Sequence, residues 1–213
     1  MKKPVCKSCF ADIQDKSLIT WLSPKPILCD RCLGSERRLM RFSTQGKHKI
    51  YSLFEYASPV KDWLFRYKTL NDFEMRSVFL YPFGWTLRLL AKKWVFALVP
   101  TTGQAYRDRG FDHLEEMLGY VGIKAVKPFA KDDGPSQKNL AYGERMKVRE
   151  RISLRGPAPL AGKKVLVFDD VMTTGATIEA CLDLALEGGA KSATGIVLME
   201  NLGMNIHSHI SNL

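Results

Sequence analysis

The stretch Val165-Leu166-Val167-Phe168-Asp169-Asp170-Val171-Met172-Thr173-Thr174-Gly175-Ala176-Thr177 decides how the chain reads. Four apolar residues form a buried strand, and two adjacent carboxylates are expected to end it. A hydroxyl- and glycine-rich turn then opens a helix. Backbone N–H groups at a helix N-terminus, aided by the macrodipole, favour an anion. Thr173, Thr174 and Thr177 add hydroxyls, and Gly175 lets the backbone come close to a phosphate. Asp169 and Asp170 are placed to accept hydrogen bonds from sugar hydroxyls or to help hold Mg²⁺. The arrangement suits an activated sugar phosphate.

Downstream, Ile178, Cys181, Leu182 and Ala185 form an apolar stripe at helical spacing, and Gly188-Gly189 stops the helix. Residues 192–199 read as the next buried strand. A strand–loop–helix–strand unit implies a parallel sheet. The thirteen residues resemble the PRPP (5-phosphoribosyl-1-pyrophosphate) motif of type I phosphoribosyltransferases. A Walker-type phosphate loop is excluded, because the Gly-Lys-Ser/Thr ending is absent.

Upstream, Ile50 to Tyr56 reads as a strand. Ser58-Pro59 reads as an N-cap followed by proline at the first helical position, with Val60, Trp63, Leu64 and Tyr67 as the buried stripe. Helix is expected again near Phe73 and from Leu87 to Lys93. Val95 to Val99 reads as a strand ending at Pro100. Residues 101–111 look polar and irregular. A short helix carries Leu114, Met117, Leu118 and Val121, and Val126 to Phe129 reads as a strand. Residues 131–157 are hydrophilic and rich in Gly and Pro, which suggests a functional loop. The tail beyond Asn201 reads as a frayed end.

Four of the five cysteines form Cys6-Lys7-Ser8-Cys9 and Cys29-Asp30-Arg31-Cys32. Paired Cys-x-x-Cys knuckles at this separation are a zinc-site pattern, in which the metal replaces a core that so short a segment cannot build. Two disulfides would be the alternative in an oxidising compartment. Structural Zn²⁺ on Cys6, Cys9, Cys29 and Cys32 is expected. Cys181 lies on an apolar helix face and reads as a small core residue.

The chain has 213 residues and a net charge of +10, with 46% hydrophobic residues, so a sizeable core can form. Residues 1–94 hold 18 Lys/Arg against 8 Asp/Glu, and the remainder is formally neutral. The basic half is either an electrostatic footprint for a polyanion, with nucleic acid favoured, or a solubilising surface. Tyr51, Phe54, Tyr56, Trp63 and Tyr67 lie in that half, available for base stacking or for the core. No apolar run is long enough to span a membrane and no signal peptide is apparent, so a cytoplasmic protein is expected.

Double Cys-x-x-Cys, Arg107-Asp108-Arg109-Gly110-Phe111 and the PRPP-type loop occur in that order, and this order resembles the ComF family of competence proteins. Tyr67-Lys68, Ser136-Gln137-Lys138-Asn139-Leu140 and Glu144-Arg145 resemble further family elements. The chain departs from the family at Pro100-Thr101-Thr102-Gly103-Gln104-Ala105, where a histidine and two arginines are usual. It departs again at Asp112-His113, where Asn-Gln is common. Anion binding by the loop at 100–105 is therefore expected to be weaker.

The resemblance implies an α/β fold: a type I phosphoribosyltransferase-like parallel sheet with helices on both faces (residues 46–213) behind a four-cysteine zinc module (residues 1–45). It implies PRPP with Mg²⁺ as ligand, with Asp169 and Asp170 at the ribose. The backbone and side chains of Val171, Met172, Thr173, Thr174, Gly175, Ala176 and Thr177 would hold the 5′-phosphate. Arg107, Arg109, Lys138 and Arg145 are the candidate cations. It also implies handling of single-stranded DNA in natural transformation, beside a DNA-translocating helicase. The alternative is an active phosphoribosyltransferase of nucleotide metabolism.

Overall fold

The structure is a computed structural model and describes residues 4–13, 26–132, 151–156 and 159–202. A six-stranded sheet organises the chain. Its strands are β1 (Arg38–Gln45), β2 (His48–Glu55), β3 (Val95–Leu98), β4 (Ala125–Val126), β7 (Lys164–Met172) and β8 (Ser192–Glu200), in the order β1-β2-β8-β7-β3-β4. Only the β1–β2 pair is antiparallel. A separate antiparallel pair, β5 (Phe129–Lys131) and β6 (Ile152–Leu154), stands beside it.

The helices are α1 (Asp30–Leu33), α2 (Val60–Thr69), α3 (Gly84–Ala91), α4 (Gly103–Arg109), α5 (His113–Tyr120) and α6 (Ala176–Glu187). Val165, Leu166, Val167 and Phe168 are all buried, as a strand covered on both faces requires. Gly195 of β8 lies under Ile178 of α6, where a Cβ would stand 2.9 Å from the isoleucine Cδ1. Its neighbours Thr194 and Ile196 share a cavity lining with Leu87 and Leu90 of α3. Adjacent strand residues point to opposite faces, so α6 and α3 cover opposite sides of the sheet. A mostly parallel sheet with helices on both faces is therefore observed.

Several elements differ from the sequence expectation. The acid pair does not end β7. The strand runs on to Met172 because β8 is equally long and pairs with it to Glu200. Residues 103–109 are helical, not irregular. Thr102 caps α4 by accepting from Ala105 N–H at 3.3 Å, and Gly110 closes it in the left-handed region at φ 77°. No residue of α4 is buried, so the helix has no apolar stripe to betray it. Val60, Trp63, Leu64 and Tyr67 are buried as expected, but Pro59 takes the N-cap position and Ser58 provides no cap. The region from Phe73 forms two short 3₁₀ turns, Phe73–Ser77 and Tyr81–Phe83, and α3 begins earlier than Leu87, directly after them.

The strand expected over Val126 to Phe129 is split. Pro128 cannot donate to a ladder, so Ala125–Val126 joins β3 while Phe129–Lys131 pairs with β6. The expected loop thus has a hairpin base; residues 133–150 and the tail from 203 lie outside the described residues. Residues 38–45, read from sequence with the cysteine segment, form the edge strand of the main sheet. Cys6, Ile13, Ile27, Leu28 and Leu33 pack into the same hydrophobic core as the sheet.

Candidate functional site

β3 and β7 are neighbours whose crossovers run in opposite directions, through α5 to β4 and through α6 to β8. Such a point opens a crevice outside the carboxyl ends of the strands, where ligands bind in α/β sheets. The turn after β7 and the loop after β3 face each other across it.

The turn after β7 opens α6 on a glycine. Gly175 sits at the N-cap of α6 with φ 76°, a conformation that favours glycine, and offers no side chain to the first-turn N–H groups. Thr173 and Thr174 are exposed, while Thr177 is half-buried. Gln45, at the end of β1, donates from Nε2 to the Thr174 carbonyl at 2.9 Å. A Cβ on Gly175 would stand 2.6 Å from the Gln45 amide carbon, so the glycine is required for packing as well as for its φ. Lys47 and His48, in the same hairpin, reach Asp183 on α6 at 2.8 and 3.0 Å. The β1–β2 hairpin thereby braces the first turns of α6.

Asp169 and Asp170 are adjacent on a strand and diverge to opposite faces. Asp170 is buried, and its Oδ2 accepts from Lys68 Nζ at 2.6 Å and from His113 Nε2 at 2.7 Å. Arg109 Nη1 lies 2.5 Å from His113 Nδ1. A guanidinium can only donate, so Nδ1 is the acceptor and Nε2 carries the hydrogen given to Asp170. The imidazole is neutral, in keeping with a pKa that burial lowers first of all. Burial alone would raise Asp170, but His113 and Lys68 hold it well below the usual carboxylate range. Asp169 is half-buried and accepts from the Asp170 N–H at 2.8 Å. Burial, and then the Asp170 charge, push it up to about 7. The two carboxyls therefore differ in kind: one is locked as an anion in an internal network, the other titrates near neutrality.

Of the expected site residues, the structure gathers Asp169, Asp170 and the 173–177 turn at one sheet end. Met172 places its side chain in the core, so only its backbone can serve a ligand. Arg109 is engaged by His113 and by the Ala105 carbonyl. Arg107 is exposed, bonds Gln104 at 3.1 Å and lines a cavity beside the loop after β3. Lys138 and Arg145 lie outside the described residues. Sequence reasoning gave no site role to Lys68 or His113. The signal was present in Tyr67-Lys68, at the end of an amphipathic stripe, and in the Asp112-His113 departure.

The four knuckle cysteines converge. Their Sγ atoms all lie within 4.8 Å of one another, with Cys9 and Cys29 at 3.6 Å. A tetrahedral site with metal–sulfur bonds of about 2.3 Å needs sulfurs roughly 3.8 Å apart, so the set fits such an ion. Burial would raise the Cys6 thiol, but the N–H groups of Cys9, Cys29 and Ser8 bring it down to about 7. Cys32 is pushed up to about 12, by burial first and with the Cys6 charge contributing. Four thiolates so close repel one another unless a cation binds them all. The knuckle seats on α2: Trp63 Nε1 donates to Ser8 Oγ at 2.8 Å, and Arg66 donates to the Ser8 carbonyl at 3.2 Å.

Of the five aromatics considered for stacking, Phe54, Trp63 and Tyr67 are core residues. Tyr67 uses its hydroxyl to bond the His113 carbonyl at 3.2 Å. Tyr51 is half-buried and packs against Phe42, which is 66% exposed, with centroids 4.7 Å apart. Among the described residues, no helix is long and apolar enough to cross a membrane.

The chain is similar to several known proteins. The phosphoribosyl transferase domain family matches residues 113–208. Competence protein ComFC of Streptococcus pneumoniae is 29% identical over 66% of this chain, and the match spans 63% of the relative's length. Adenine phosphoribosyltransferase of Carboxydothermus hydrogenoformans is 28% identical over 56% of this chain and 69% of its own. A solved hypoxanthine phosphoribosyltransferase from Staphylococcus aureus superposes with TM-score 0.41 and 12% identity, covering 62% of this chain and 66% of that one. The fold and the family match define a phosphoribosyltransferase-like protein. Within that class the likeness to competence protein ComFC supports a ComFC-type protein.

Proposed function

We propose that the crevice at the β3–β7 switch point binds PRPP with Mg²⁺, and that the protein uses it in handling single-stranded DNA during natural transformation. The observation that carries the ligand is the turn after β7, with a left-handed glycine at the α6 N-cap and three threonines around it. The 173–177 turn takes the 5′-phosphate through backbone N–H groups and hydroxyls. Asp169, as the carboxyl not locked by other side chains, accepts from the ribose hydroxyls. Asp170 is the structural partner that keeps β7, α2 and α5 in register. Mg²⁺ on the ligand supplies charge neutralisation at the leaving group. The cysteine site takes structural Zn²⁺, holding residues 1–45 as a module against α2.

The DNA role is supported by the likeness to ComFC and by the basic N-terminal half. With three of the five aromatics in the core, strand binding rests on exposed residues such as Phe42 and on the surrounding cations. The likeness to adenine phosphoribosyltransferases supports the second reading, transfer to a nucleobase. A base screen with PRPP separates the two, because only the second predicts diphosphate release.

Calorimetry with PRPP and Mg²⁺ on wild type, Asp169→Asn and Asp170→Asn tests the ligand. Binding that weakens about tenfold or more in Asp169→Asn supports the reading. Wild-type protein that gives no heat with PRPP overturns it. Chelating the metal should lower short single-strand binding while leaving PRPP affinity within about twofold; loss of both together would contradict the division of labour.

A further inference from the structure

The β1–β2 hairpin has one covered face and one open face. On the covered face Ile50 meets Ile178 of α6 around Gly195. On the other, Met40 and Phe42 of β1 and Lys49, Tyr51 and Leu53 of β2 line an open cavity of about 470 Å³. Leu87 and Leu90 of α3, and Trp94 just after it, line the same cavity. Met40 and Phe42 are large apolar side chains left exposed to solvent. A parallel sheet is normally covered by helices on both faces, yet here α3 leaves β1 and β2 open. Two strands about 4.8 Å apart make a shelf roughly 10 Å wide, the diameter of one helix.

The charges around the cavity have one sign. Residues 38–54 hold four Lys/Arg and residues 84–94 hold three, with no Asp or Glu in either segment. Carboxylates from elsewhere engage Arg38, Arg41 and Lys47. Lys92 and Lys93 directly precede Trp94, and Lys164 lies over the Trp94 ring at 5.7 Å. Among the described residues, Lys49, Lys92, Lys93 and Lys164 have no ion pair.

We propose that this groove docks an acidic amphipathic helix of a partner protein, its apolar stripe on the β1–β2 shelf and its carboxylates on the surrounding lysines. The floor favours protein side chains. Leu53, Leu87, Leu166 and Ile196 are buried aliphatic residues with no side-chain polar group. Leu, Ile or Phe at i, i+3, i+4 and i+7 of a helix suits them, whereas the polar edges of a nucleobase would lose their hydrogen bonds there. Asp or Glu beside such a stripe meets Lys49 and the lysines around Trp94, and a basic helix is repelled. A second copy of this chain on a two-fold axis would set the same cations against each other. The groove also lies away from the phosphate turn. Lys49, Leu166 and Thr194 stand in the first halves of β2, β7 and β8, whereas the turn follows the end of β7. Phe42 is the side chain that the strand-binding reading also uses, so a docked helix and a DNA strand compete for it. That competition rests on the strand-binding reading; the docking does not.

The test is fluorescence anisotropy on the full chain with three labelled probes: a designed helix of about four turns with Leu at i, i+3, i+4 and i+7 and Glu on its flanks, the same helix with Lys in place of Glu, and a thymidine oligonucleotide. The variants are Phe42→Ala, Lys49→Glu and, as a control, Trp85→Ala; all three side chains are exposed, and Trp85 lies on α3 outside the cavity. The expected result is that wild type binds the acidic helix about tenfold or more tightly than the basic one, that Phe42→Ala and Lys49→Glu each weaken it about fivefold or more, and that Trp85→Ala stays within about twofold. Wild-type protein that does not bind the acidic helix, or binds both helices alike, overturns the proposal. So does binding that Phe42→Ala and Lys49→Glu leave unchanged, and so does self-association of the chain that Phe42→Ala abolishes, which would give the groove to a second copy. Phe42-dependent oligonucleotide binding without acidic-helix binding overturns the docking and spares the strand reading. Acidic-helix binding without oligonucleotide binding does the opposite.

Discussion

The two loops that face each other at the switch point solve the same problem differently. The turn after β7 is self-sufficient. It has a glycine in the left-handed region, three hydroxyls and a helix of twelve residues behind it. The loop after β3 leads into a helix of seven residues with no buried side chain, and Lys131 and Arg155 beside it come from the β5–β6 hairpin. The turn after β7 is local in sequence; the cavity beside the β3 loop is lined from several separate segments. That difference makes their sensitivity to mutation differ as well.

The comparison breaks most sharply at Gly175. Gly175→Val forces a β-branched residue to φ 76° and drives its Cβ into the Gln45 amide. A cost of about 2 kcal/mol or more is expected from the left-handed conformation and the overlap together, read as a fall of roughly 4–8 °C in melting temperature and loss of ribose 5-phosphate binding. Thr102→Ala, on the opposite loop, removes only the α4 cap. About 1 kcal/mol is expected, with ribose 5-phosphate affinity within about twofold of wild type. Equal loss of ligand from both variants would erase the distinction between the loops.

A second prediction sharpens the role of the acid pair. The folded-state pKa of Asp169 is raised to about 7, so the unfolded chain gives up this proton first and stability falls as pH rises from the ordinary carboxylate value to about 7. Above that the ionised group costs stability in full. Asp169→Asn keeps an oxygen to accept the Asp170 N–H and removes the charge. Its melting temperature should exceed wild type by about 2–4 °C at pH 8, with the gain shrinking as pH falls from 7 towards 4. A pH-independent difference would contradict the assignment. The smallest effect is expected at Gln45. Gln45→Ala removes one hydrogen bond to the Thr174 carbonyl, at about 1 kcal/mol, and should weaken ribose 5-phosphate binding a few-fold with diphosphate untouched.

Much of the self-sufficient loop was legible in the sequence because its parts lie within thirteen residues. The strand, the turn and the α6 stripe of Ile178, Cys181, Leu182 and Ala185 are all local patterns, and all four stripe residues are buried. The four cysteines converge as their spacing implied. What escaped the sequence reading is long-range or lacks apolar periodicity. Lys68 reaches Asp170 across 102 positions and His113 across 57; the local signals at Tyr67-Lys68 and Asp112-His113 do not name the partner. Helix α4 hides because it buries nothing. Strand β1 was read with the cysteine segment because its alternation is weak; only its pairing with β2 places it in the sheet. Lys131 and Arg155 lie within one hydrophilic stretch of sequence, and only the β5–β6 hairpin brings them to the same cavity.

Amide chemical shifts of the isotope-labelled chain, followed during titration with ribose 5-phosphate and then diphosphate, address the central claim directly. The account predicts that ribose 5-phosphate alone moves the N–H signals of Thr174, Gly175, Ala176 and Thr177, while those of Thr101 and Thr102 move only when diphosphate is added. Ribose 5-phosphate that leaves residues 173–177 unmoved, or that shifts the β3 loop first, would contradict it.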